Sequence, residues 1–184
     1  MQRYVIADEF GRRCNTILWD GESVLSLGAG YFLYLETQFV ALPNEGSPYH
    51  DWNGTEYALN PDKVAEAKAV VWEQIKAYRA ERTAGGISVG PYWFHSDTPS
   101  KLQHLGLVNA MIMGALPPGQ QWKLIDGSFV TLTPTLVQQI FGSAMQREGA
   151  NFARAEEHRG LMEASSDPYG YDFTTGWAPI FGES

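Results

Sequence analysis

Over roughly its first sixty positions the chain sets apolar residues in short runs broken by turn residues; beyond them the apolar positions recur every three or four. The first pattern reads as β structure and the second as helix, because side chains alternate across a strand but repeat along one face of a helix. Tyr4-Val5-Ile6-Ala7 is a predicted strand, followed by a turn at Phe10-Gly11. Thr16-Ile17-Leu18-Trp19 is a second, stopped by Asp20-Gly21, two residues that tolerate positive φ. Tyr31-Phe32-Leu33-Tyr34-Leu35 is a third, after Gly28-Ala29-Gly30. Around Asn53-Gly54, Asp51-Trp52 and Thr55-Glu56-Tyr57 are predicted to face each other as a last hairpin. Residues 1–59 are therefore expected to form a small antiparallel β module. Four or five short strands give a core that is marginal unless something covers it.

At Asn60-Pro61 the period changes. Asn60 suits an N-cap and Pro61 the first helical position, where its missing N–H has no partner to lose. Val64, Ala67, Val71, Ile75 and Tyr78 mark one face, and Gly85-Gly86 ends the helix. Thr98-Pro99 opens a second helix, with Leu102, Leu105, Val108, Ile112 and Leu116 expected to face the core, before Pro117-Pro118. Thr133-Pro134 opens a longer third one, carrying Leu136, Ile140, Ala144, Phe152, Ala155 and Met162. Two hairpins fall between them, Ile87–Val89 with Tyr92–Phe94 around Gly90-Pro91, and residues 122–125 with 129–132 around Asp126-Gly127-Ser128. The expected fold class is α+β, a small N-terminal antiparallel β module followed by a three-helix bundle with two inserted β-hairpins. The bundle spans residues 60–165. Residues 166–184, rich in glycine and aromatics and without a period, are expected to form an extended C-terminal tail.

Charge narrows the partners. Of 184 residues, 21 are acidic and 13 basic, a formal net charge of −8, which disfavours a general nucleic-acid binder because such proteins need a basic surface. No run approaches the roughly 20 apolar residues of a membrane span, so membrane insertion is not expected. Acidic residues at Asp8 and Glu9 come too early for a signal peptide, and the expectation is a product of a reducing cytosol. The single Cys14 can form no intramolecular disulfide.

Candidate chemistry is sparse. His50, His95, His104 and His158 lack metal-ligand spacing, and a solvated or hydrogen-bonded state is the expectation for each. Cys14 follows Arg12 and Arg13 but has no base beside it in sequence and is read as structural. Gly28-Ala29-Gly30 precedes a strand and lacks the third glycine of a dinucleotide fingerprint. Asp20, Asp51 and Trp52 are the residues a polysaccharide-cleaving groove would have to use, yet aspartates in turns commonly cap backbone amides. No catalytic, cofactor-binding or metal-binding residue is assigned, and no cofactor is expected. The aromatic residues outside periodic segments remain. Trp52, Tyr169, Tyr171, Phe173, Trp177 and Phe181 are the candidate partner-binding residues, since aromatics are common in contact surfaces. The competing reading packs these loops back on the body.

Two stretches carry a family resemblance. Tyr4-Val5-Ile6-Ala7-Asp8, Gly11, Asn15-Thr16-Ile17-Leu18-Trp19-Asp20-Gly21 and Asp51-Trp52-Asn53-Gly54-Thr55-Glu56-Tyr57 together resemble small N-terminal modules of tailed-bacteriophage proteins encoded beside tail-fibre genes. Within residues 67–165, Gly85-Gly86-Ile87, His95-Ser96-Asp97 and Trp122-Lys123-Leu124-Ile125-Asp126-Gly127-Ser128-Phe129-Val130-Thr131-Leu132 look like an uncharacterised domain of phage tail-fibre and tail-assembly proteins. The hairpin Gly90-Pro91-Tyr92-Trp93-Phe94 departs from that pattern in being bulkier. The resemblance implies a non-enzymatic structural subunit of the virion tail, at the baseplate or tail-fibre attachment region. Its partners would be phage tail-fibre or baseplate proteins in an oligomeric assembly. The alternative it implies is a tail-fibre assembly chaperone acting transiently in the host cytoplasm.

Overall fold

Strand β1 (Gln2–Asp8) is the centre of the first sheet, flanked by β2 (Arg13–Trp19) and β3 (Tyr31–Leu35), both antiparallel to it. The computed structural model describes residues 1–183, and its class is α+β. Register follows the alternation: Val5 pairs with Thr16 and Tyr34, and Ile6 with Asn15 and Leu33, until the β1–β2 ladder shifts between Ile6 and Ala7. Val5 and Ala7 are wholly buried on one face. The hairpin of β4 (His50–Trp52) and β5 (Tyr57–Leu59) closes over Asn53-Gly54, with the Asn53 side chain accepting from the N–H groups of Thr55 and Glu56.

The chain divides into two compact units after Glu66, inside α1 (Pro61–Ala84), and not between residues 59 and 60. The cause is local. Asn60 caps the helix through the N–H groups of Asp62 and Lys63, while its amide and the Lys63 ammonium both hold the Asp51 carboxylate on β4. The first helical turns are thereby tied to the strands before them.

In the second unit, β6 (Ile87–Val89) pairs with β7 (Tyr92–Phe94), α2 (Thr98–Ile112) follows, and β8 (Gln121–Lys123) pairs with β9 (Phe129–Thr131) before α3 (Pro134–Ala164). Asp97 caps α2 and Thr133 caps α3 by side-chain acceptance from Ser100 and Leu136 N–H groups, each ahead of a proline in the first turn. The long α3 serves two cores. Its first half buries Val137 and Ile140 against Ile87, Val89, Phe94, Leu124 and Leu132 of the hairpins, with Leu107, Val108 and Met111 of α2 alongside. Its second half buries Ala155 and Met162 against Val71 and Ile75 of α1.

Two expectations change here. On α2 the face turned inward carries Ser100, His104, Leu107, Val108 and Met111, whereas Leu102, Leu105 and Ile112 are exposed. Both faces of this helix are apolar, so periodicity did not distinguish them; the hairpin core selected the one with His104. On α3, Phe152 lies outside the core, 48% exposed beneath the Arg79 guanidinium at 4.0 Å. Asn151 takes the inner position, donating to the Thr83 hydroxyl at 3.0 Å.

Candidate interaction surfaces

The C-terminal segment does not project as an arm. After α3 the chain turns back at Pro168 and runs along α1 and α3, so most of its polar contacts are made within the second unit. Trp177 inserts among Val71, Ile75, Ala155 and Met162 and donates its indole N–H to the Phe173 carbonyl at 2.7 Å. Tyr171 and Phe173 are half-buried on the same cluster, with Phe173 edge-on to Tyr78. Trp177 is interior and is not a surface for another protein; Tyr171 and Phe173 serve mainly to seat it. The indole completes a buried cluster whose other members, Val71, Ile75, Ala155 and Met162, come from α1 and α3. Tyr169 and Phe181 are the exposed aromatics of the segment, and Phe181 meets Trp93 edge-on at 5.9 Å.

His158 organises this region. Its Nε2 lies 2.9 Å from the Thr175 carbonyl oxygen, which can only accept, so Nε2 carries the proton. Nδ1 is then the acceptor for the Tyr171 hydroxyl at 2.8 Å. Further along, the buried Arg82 guanidinium grips both Glu183 carboxylate oxygens at 2.6 Å and the Ala178 carbonyl. Arg147 donates to the carbonyls of Arg82 and Pro179. Hydrogen bonding by Arg82 holds the Glu183 carboxyl below its usual range, and burial lowers the pKa of Arg147.

Trp52 also packs within its own unit. Phe10 and Tyr57 flank its ring at 5.6 and 5.2 Å, and the Arg12 guanidinium sits over it at 5.3 Å. It is half-buried. Asp51 adjoins it on β4, whereas Asp20 lies at the other end of the β1–β2 ladder, and both carboxylates are occupied. Asp20 accepts from the Ser23 hydroxyl and from the Ser23 and Glu22 amides, which lowers its pKa to about 2. Asp51 lies below its ordinary value through hydrogen bonds from Asn60 and Lys63. Cys14 is exposed. Among the described residues no group of three His, Cys, Asp or Glu converges as metal ligands, and no helix is long and apolar enough to cross a membrane.

Two surfaces stand open. The first is a face of the N-terminal sheet. Cross-strand partners share a face, so Tyr4, Ile17 and Leu35 lie together, with Ile6 and Leu33 beside them and Trp19 against Tyr4 at 5.3 Å. All six are apolar and only half-buried. The second is a groove of about 350 Å³ between α2 and α3, lined by Leu102, Leu105, Phe141, Ala144 and Met145 with the Lys101–Glu148 ion pair at 3.3 Å among its lining residues. His104 also borders this groove. It is 3% exposed, lies against Trp122 at 5.4 Å and Phe94 at 6.5 Å, and neither ring nitrogen has a hydrogen-bond partner among the described residues. Burial keeps its pKa below the ordinary value. The expectation of a solvated or hydrogen-bonded state does not hold for His104, because its place on an apolar helix says nothing of which neighbours close around it.

The strands, hairpins and three α-helices of the described residues define an α+β fold with apolar surface left open. A family model described as a domain of unknown function (DUF4376) matches residues 66–175, more than half of the chain, and the chain belongs to that family. The match begins at the unit boundary and ends at Thr175, the residue whose carbonyl His158 and Arg154 hold. No curated protein and no solved structure matches the chain.

Proposed function

We propose that this protein is a non-enzymatic structural subunit of a phage tail, at the baseplate or tail-fibre attachment region, with its N-terminal sheet as the docking element. The supporting observation is the half-covered apolar face of Tyr4, Ile6, Ile17, Trp19, Leu33 and Leu35. A sheet face of this composition gains free energy when a partner removes it from water, at about 25 cal/mol per Å² of apolar area. Among the described residues the outer edges of β2 and β3 have no strand beside them, so a partner strand can extend the ladder. The second unit, with its C-terminal segment clamped to α1 and α3, is the rigid body that such an attachment positions.

Mass spectrometry and cross-linking of purified phage particles test this reading. The expected result is stoichiometric presence, with cross-links from residues 1–35 to a tail-fibre or baseplate protein. Trp19→Ser with Leu35→Ser is expected to lower incorporation while the helical circular dichroism of the second unit persists. Absence from particles, with recovery of the chain only in intracellular complexes with fibre protein, overturns the subunit reading in favour of a transient assembly chaperone.

A further inference from the structure

Leu102, Leu105, Asn109 and Ile112 follow one another at intervals of three, four and three along the exposed face of α2. This is the spacing of a helical seam in which one helix packs along another, and a lone asparagine in such a seam fixes register. Phe141 and Met145 of α3 continue the apolar surface across the groove. We infer that this face binds a second copy of the same chain, making a two-fold dimer through α2 and α3.

Three observations select a second copy as the occupant. The first is charge. The chain carries a net −8, so two copies repel each other over most of their surfaces, yet α2 holds one charged residue, Lys101, and the groove pairs it with Glu148. The face is neutral where the molecule is acidic. The second is self-complementarity, which a two-fold interface requires because the same patch meets itself. The Asn109 carboxamide both donates and accepts and can pair with its own counterpart, and Lys101 and Glu148 can exchange partners across the axis. The third is area. With Leu102 at 66%, Met145 at 59% and Ile112 at 74% exposure, and Leu105 and Phe141 also open, roughly 500 Å² of apolar surface faces water on each copy. Two copies facing each other remove about 1,000 Å² before any rim is counted, the level at which specific association begins. This dimer is independent of any tail attachment through the N-terminal sheet.

The test is sedimentation of the purified full-length chain, alone, across a concentration series into the 100 µM range (about a hundred times a 1 µM Kd). The expected result is a dimer. Leu102→Glu and Met145→Glu, at exposed positions, are each expected to raise the dissociation constant at least about tenfold with unchanged helical circular dichroism. In a Cys14→Ser background, Asn109→Cys is expected to give a disulfide-linked dimer on mild oxidation. A monomer throughout the series overturns the inference and leaves the face to a different protein. A dimer that both glutamate variants leave intact overturns it too.

Discussion

The indole of Trp177 stacks on the imidazole of His158, ring centroids 5.5 Å apart and planes 20° from parallel. Nineteen positions of chain separate the two, including the turn at Pro168, so the contact exists only because the C-terminal segment doubles back. The segment is a component of the helical core. That placement decides what its mutation does.

Trp177→Ala removes a side chain that is 9% exposed from the α1–α3 core. Loss of a buried tryptophan leaves a cavity and costs about 3–5 kcal/mol. Urea denaturation is expected to show that loss, with greater proteolytic sensitivity after residue 165. A variant with unchanged midpoint would contradict the packing described above.

The Arg82–Glu183 pair gives the fold an acid-sensitive clamp. The Glu183 carboxyl is depressed in the folded state, from an ordinary 4.5, chiefly by its hydrogen bond from Arg82. Its contribution is therefore complete above that ordinary value and is lost as pH falls through the lower folded one. Glu183→Gln is expected to lower the melting temperature at pH 7, and the difference from the parent chain should shrink steadily below pH 4.5. A difference that is constant with pH would show that the charge plays no part.

His104 acts in the same sense from a different cause. Burial lowers its pKa from an ordinary 6.5; Asp97 opposes that shift and His95 reinforces it. The unfolded chain then binds a proton more readily than the folded one, so stability falls as pH drops from 6.5 toward the folded value. His104→Leu is expected to abolish that part of the pH dependence. It also removes two unpaired ring nitrogens, and should stabilise the chain at pH 7 by about 1–3 kcal/mol. Unfolding free energies of both proteins between pH 8 and 5 are the measurement.

Gly85, the residue after α1, packs directly against the C-terminal segment. A Cβ there would run into the Ile180 side chain, while the Phe181 N–H donates to the Gly85 carbonyl at 2.9 Å. Gly85→Ala is expected to lift the last residues away and speed amide exchange at Phe181. Gly86, at φ +99° and with Ile125 against it, is expected to be less tolerant still, because a left-handed backbone is added to the crowding. Exchange rates at Phe181 that match the parent would reject the contact.

Local chemistry was legible in the residues. Asn60-Pro61, Thr98-Pro99 and Thr133-Pro134 announce helix starts because capping and proline geometry act within a few positions, and Asn53-Gly54 and Asp126-Gly127 announce turns for the same reason. The α+β class and the order of elements follow from these signals. The α1 stripe of Ala67, Val71 and Ile75 was legible too, since only one of its faces is apolar enough to bury.

What the tertiary structure decided was the choice among apolar surfaces. Helix α2 offers two, and only the assembled hairpins, with Phe94 and Trp122 in place, draw His104 inward and leave Leu102, Leu105 and Ile112 outside. The aromatic C-terminal segment has no period from which to read a destination. Its place depends on the apolar side chains that α1 and α3 present together to Trp177, and on Arg82, Arg147 and Arg154 lying where they can bind its carbonyls and Glu183. Those are relations between residues far apart in the chain, and burial energy acts on the surfaces they form together.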